Sequence, residues 1–114
     1  MPPRHWKLRL ADILSAITAI EGYVRGMDLA SFVADRRTVD AVVRNMIVIG
    51  EAAANVPDEI ADSYPEVPWH VMSAFRNVVV HVYFGVDEEV LWDTLQNDLP
   101  PLVPLLRRIL EADE

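Results

Sequence analysis

Apolar residues recur at helical spacing along almost the whole chain. From Trp6 to Val24, the positions Trp6, Leu10, Ile13, Leu14, Ile17, Ile20 and Val24 fall within about 120° of one another at 100° per residue. Lys7, Asp12, Ser15 and Thr18 lie elsewhere on the wheel, which predicts a surface helix with one packing stripe. Gly26 closes it, Asp28 can cap a short helix through Leu29, Phe32 and Val33, and Asp35 or Thr38 opens a third. That third helix, about Thr38 to Val56, is apolar nearly all the way round and belongs in the middle of a bundle. Its exceptions are Asp40, Arg44, Asn45 and Glu51. Arg44 and Glu51 project in nearly the same direction; a structural bridge to a neighbouring helix is the first reading and a role lining a site the second.

Pro57 stops the third helix and starts a single turn with Asp58 and Glu59 at its favourable N-terminal positions. Residues before proline avoid helical angles, so Tyr64-Pro65-Glu66-Val67-Pro68 is expected to be extended. A helix then runs from Trp69 to Phe84 and ends at Gly85. Asp87-Glu88-Glu89 starts the last helical region, with Val90, Leu91 and Leu95 packing inward. Pro100, Pro101 and Pro104 restart it near Asn97-Asp98, where Asp98 is a candidate cap. Leu102, Leu105, Leu106 and Ile109 complete it, and Arg107 and Arg108 suit its C-terminal end. The expected fold is all-α, an up-and-down bundle of about five helices in a single domain over residues 1–114.

One stretch breaks the apolar pattern. Arg76-Asn77-Val78-Val79-Val80-His81-Val82-Tyr83 places an arginine, an amide, a histidine and a phenol among valines, where polar groups are costly without a task. With Arg76 at about 0°, Val78, Val82, Phe75, Val79 and Met72 span roughly 200° to 320°, a core-facing arc. Tyr83, Arg76, Val80, Ser73, Asn77, His70 and His81 occupy the opposite arc. A buried strand competes locally, since Val, Tyr and Phe are strand formers; Pro68 at the start and the clean separation of faces favour helix.

Composition narrows the function. The chain of 114 residues has no cysteine, which excludes a disulfide framework and thiolate metal sites and suits a reducing compartment. Three scattered histidines lack ligand spacing, so neither metal nor cofactor is expected. No apolar block opens the chain and no run of about 18 apolar residues occurs, so a cytoplasmic protein without membrane association is expected. Eighteen acidic against ten basic residues give a net charge of −8, so a polyanion must be met by a local basic site or with a partner's help.

The pattern Arg76-Asn77-x3-His81-x-Tyr83 resembles the motif of the HEPN superfamily, specifically its HepT-like (DUF86) group. The resemblance extends through Ala11-Asp12-Ile13-Leu14, Phe32 to Thr38, Arg44-Asn45 through Ile49-Gly50-Glu51-Ala52, Tyr64-Pro65-x2-Pro68-Trp69, Tyr83 to Asp87 and Asn97-Asp98-Leu99-Pro100. It implies a homodimeric helical bundle and a ribonuclease toxin silenced by a partner nucleotidyltransferase of the MNT type. In that group the tyrosine matching Tyr83 is also where the antitoxin attaches AMP.

The residues suit that chemistry. Metal-independent RNA cleavage needs a base for the 2′-hydroxyl, an acid for the leaving oxygen and a cation for the phosphorane. His81 fits the first two tasks, because imidazole titrates near neutrality. Arg76 fits the third through its fork of donors. Asn77 can orient the ring or bind a phosphate oxygen, and Tyr83 can donate to phosphate. Arg76 and His81 nevertheless diverge by about 140° on one helix. Two copies across a twofold axis bring Arg76 of one toward His81 of the other, with Val80 and Trp69 supplying apolar contact. Two readings compete with the nuclease: a catalytically silent helical partner of a nucleotidyltransferase that uses Arg76 to hold phosphate, and a plain dimerisation bundle.

Overall fold

Residues 5–77 and 88–112 are described by a computed structural model, and every regular element among them is helical. They form α1 (Trp6–Val24), α2 (Leu29–Ala34), α3 (Arg36–Ala54), α4 (Asp58–Ser63), α5 (Trp69–Ala74) with a 3-10 turn at Phe75–Asn77, α6 (Glu88–Asn97) and α7 (Leu102–Glu111). The expected all-α fold is present. No helix of the described residues is long and apolar enough to cross a membrane.

The stripe expected on α1 is the one that packs. Leu10, Ile13, Ile17 and Ile20 are fully buried, Ala16 joins them, and Trp6, Leu14 and Val24 line the margins. Gly26 ends the element with φ 79°, a left-handed conformation that glycine adopts without steric penalty. Asp28 caps α2 in a reciprocal box: its carboxylate accepts from Ser31 N at 2.8 Å, and Ser31 Oγ accepts from Asp28 N at 3.0 Å. Asp35 rather than Thr38 opens α3. Its carboxylate accepts from Thr38 N at 3.1 Å and from the Thr38 hydroxyl at 2.8 Å, which fixes the first turn from Arg36.

α3 is the scaffold of the fold, packed against α1, α2, α5 and the 3-10 turn. It is not buried all round, as its composition led one to expect. Val39, Val42, Val43, Met46, Ile49, Ala52 and Ala53 face the core, whereas Asp40, Arg44, Glu51 and Ala54 form an exposed strip. Asn45 is buried at 7% exposure and meets its own need, donating to Ala41 O one turn back at 2.9 Å.

The linker after α4 is a turn and not an extended segment. Val67 N donates to Tyr64 O at 3.1 Å, with Pro65 in the position where its fixed φ favours a β-turn. Val67 is buried, and the Trp69 indole N–H donates to Tyr64 O at 3.1 Å, tying the start of α5 to the turn. The helix expected from Trp69 to Phe84 loses α geometry at Phe75. At the Phe75 cap, backbone N–H groups of the helix end donate to the carbonyls of Met72 and Ser73, and residues 75–77 tighten into the 3-10 turn. Met72 and Phe75 enter the core as expected; Val78, Val79, Val80 and Val82 lie outside the described residues.

On α6, Leu91 and Leu95 pack inward but Val90 does not; it is 58% exposed. The missed inward residue is Trp92, whose ring lies 5.1 Å from that of buried Phe32 at a tilt of 39°. Asp98 does not cap α7. Leu99 is buried in the connecting turn, and Pro101 occupies the cap position without a side-chain hydrogen bond. Pro104 falls in the first turn of α7, where its absent N–H leaves no helical bond unmade. Leu102, Leu106 and Ile109 bury against the rest of one apolar cluster, and Arg108 sits in the last turn.

Candidate functional site

Arg76 is placed by backbone contact. Gly50 on α3 faces it so closely that a Cβ built there would lie 2.8 Å from Arg76 Cβ and 3.0 Å from its Cα. A glycine in a helix interior is destabilising by about 1 kcal/mol relative to alanine, and close approach of two backbones is the compensating use. Tightening into 3-10 geometry coincides with this approach.

The Arg76 side chain then extends outward. Its NH1 donates to Glu51 Oε2 at 3.4 Å, and the two side chains are 47% and 60% exposed. Glu51 is also held from its other side, because the Asn55 amide donates to Glu51 Oε1 at 3.2 Å and to Glu51 O at 2.8 Å. An exposed pair of this length is screened by solvent and worth at most about 1 kcal/mol. The guanidinium is thus presented, oriented and exchangeable: a competing phosphate offers better bidentate geometry than a single long contact.

Of the residues singled out from sequence, the structure brings together Arg76, Glu51 and the adjacent, exposed Asn77. The expected bridge of Glu51 to a neighbouring element is made, and its partner is Arg76. Arg44 is exposed on the same strip of α3, two turns before Glu51 and about 10 Å along the axis. His81 and Tyr83 lie outside the described residues. So does the angle between Arg76 and His81, since Arg76 already belongs to the 3-10 turn and an α-helical wheel ends at Ala74. Trp69, assigned to an intersubunit contact, is half-buried against the core of its own chain.

Two residues of the site were missed. Gly50 had a signal, an interior glycine in an otherwise apolar helix, which commonly marks close backbone approach. Asn55 had none. Beside Arg76 an open groove of about 610 Å³ runs between the end of α3, α4 and the outer side of α5, with His70, Ser73, Asp58 and Asp62 among its walls.

The comparisons agree on one family. The model of the family described as "Ribonuclease HepT-like" matches residues 13–109. A protein of Thermococcus cleftensis named "Probable ribonuclease HepT" is 41% identical over 99 residues, covering 87% of this chain and 90% of that one. A Methanocaldococcus jannaschii protein named "Putative RNase MJ0127" is 34% identical over 114 residues, covering 100% of this chain and 94% of its own. One from Caldanaerobacter subterraneus, "Putative RNase TTE0752", is 33% identical over 105 residues, at 92% and 94% coverage. No solved structure matches. The matched span runs from the middle of α1 to the last turn of α7 and includes Gly50, Glu51 and Arg76, so this chain belongs to the ribonuclease HepT-like family.

Proposed function

We propose that this chain is a metal-independent endoribonuclease, the toxin of a toxin–antitoxin pair. The observation that supports it most directly is the placement of Arg76, seated on Gly50 and only loosely paired with Glu51, in a chain of this family. Arg76 exchanges Glu51 for the scissile phosphate and neutralises the phosphorane. His81 takes the 2′-hydroxyl proton as that oxygen attacks phosphorus, and a proton is returned to the departing 5′-oxygen. The products are a 2′,3′-cyclic phosphate and a 5′-hydroxyl. Asn77 orients the imidazole or binds a phosphate oxygen, and Tyr83 donates to phosphate.

The working unit in this reading is a homodimer whose motif segments meet across a twofold axis, Arg76 of one subunit serving His81 of the other. An MNT-type nucleotidyltransferase neutralises the toxin, and AMP attached to Tyr83 places bulk and charge over the site. Arg44, on the same exposed strip, supplies a second cation for the incoming RNA. The test is incubation of the purified protein with RNA in EDTA beside His81→Ala. Cleavage leaving cyclic phosphate ends, abolished in the variant, is the expected result. Intact RNA with retained nucleotide or antitoxin binding would instead favour the silent helical partner.

A further inference from the structure

The groove beside Arg76 carries more hydrogen-bonding capacity than phosphodiester cleavage uses. His70, Ser73 and Arg76 repeat every third residue along one wall, and Asp58 and Asp62 stand one turn apart on α4 in the other. The side chains of Asp58, Asp62, His70 and Ser73 have no hydrogen bond or ion pair with any described residue. Trp69 also lines the groove, its indole held by the bond to Tyr64 O. The volume, about 610 Å³, is in the range of small-molecule sites.

The charges order what can enter. Arg76 approaches α3 at Gly50, one turn before the helix ends, whereas Asp58 and Asp62 lie on α4, which lines the same groove. A phosphate resting on Arg76 would therefore have its neighbouring phosphate repelled from the Asp58–Asp62 end, and the uncharged base is the part of a nucleotide that fits there. Ionised carboxylates only accept hydrogen bonds. Guanine presents two adjacent donors, N1–H and N2–H, on its pairing edge. Cytosine and adenine present one amino group beside an acceptor nitrogen, and uracil one N–H between two carbonyls that a carboxylate repels.

We propose that this groove is a base-selecting subsite that takes guanine, with Asp58 and Asp62 accepting from its N1–H and N2–H while the attached phosphate lies on Arg76. The proposal rests on Arg76 as the phosphate anchor of the nuclease reading. Its test uses two independent readouts on the full chain, with Asp62→Asn and the groove-filling Ala61→Phe as variants. Calorimetric titration with guanosine 3′-monophosphate and uridine 3′-monophosphate should give at least about tenfold tighter binding of the guanine nucleotide, a ratio lowered about fivefold or more in either variant. Mapping of cut sites on mixed-sequence RNA should show guanine at the cut in the parent and a broadened pattern in Asp62→Asn. Cleavage without guanine selectivity in the titration overturns the subsite and leaves the nuclease standing. Guanine selectivity lost in folded variants, but without any cleavage, upholds the subsite and overturns the nuclease. No selectivity and no cleavage overturns both.

Discussion

Gly50 and Arg76 meet backbone to backbone, α3 against the 3-10 turn, with no room between them for a methyl group. The expected consequence of Gly50→Ala combines two opposing effects. Higher helix propensity stabilises by about 1 kcal/mol, whereas overpacking against a backbone costs about 1–3 kcal/mol. The second wins because backbone atoms cannot rotate aside. Gly50→Ala should lower the denaturant midpoint and, by displacing Arg76 about an ångström, reduce RNA cleavage by about 100-fold.

Glu51→Gln separates pairing from folding. The pair with Arg76 is long and exposed, so unfolding free energy should change by less than about 0.5 kcal/mol. Removing the competing negative charge should tighten binding of a nucleoside monophosphate several-fold at low salt, with the gain fading as ionic strength rises. Weaker phosphate binding in Glu51→Gln would show that the carboxylate supports Arg76 rather than competing for it.

Phe32 is fully buried against Trp92 and ties α2 to α6. Phe32→Ala should destabilise by about 3–5 kcal/mol, measured by chemical denaturation. Trp92 fluorescence should shift to the red in the folded variant as its ring loses that neighbour.

The helix caps set an acid limit. The Asp28 carboxyl is held below its ordinary value by the Ser31 backbone N–H and then by the Ser31 hydroxyl. Asp35 is lowered by the Thr38 hydroxyl and then by the Thr38 backbone N–H. Both folded-state values lie below the unfolded ones, so the stabilisation is complete above the ordinary carboxylate range near about pH 4 and is lost as pH falls through the lowered values. Asparagine caps comparably but does not titrate. The thermal midpoint of Asp28→Asn/Asp35→Asn should therefore fall less steeply than that of the parent between about pH 5 and pH 2.

Local rules carried the sequence reading wherever a residue's neighbours in sequence are also its neighbours in space. The α1 stripe, the left-handed Gly26 and the Asp28 cap follow from spacing and backbone sterics alone, and all three are present. Val90 failed because its apolar side chain was assumed to pack, while Trp92 two positions on took the inward place. The break at Phe75 failed for a different reason: an uninterrupted wheel cannot register that a second helix presses on its backbone. Arg76 and Glu51 were both picked out, but that they touch depends on how α3 and α5 cross, which no periodicity encodes.

α3 also sets a distance. Near one end Arg36 NH2 reaches Glu88 Oε1 at 2.9 Å at the start of α6, and near the other Gly50 seats Arg76. One rigid rod thus anchors the chain on both sides of the segment that carries His81 and Tyr83, with anchor points about 21 Å apart along its axis. A single residue inserted between Arg36 and Gly50 would turn one anchor by about 100° relative to the other, whereas inserting two full turns, seven residues, would restore their angle to within about 20° and lengthen the gap by about 10 Å. The exposed positions of α3 should therefore tolerate substitution far better than the insertion of a single residue.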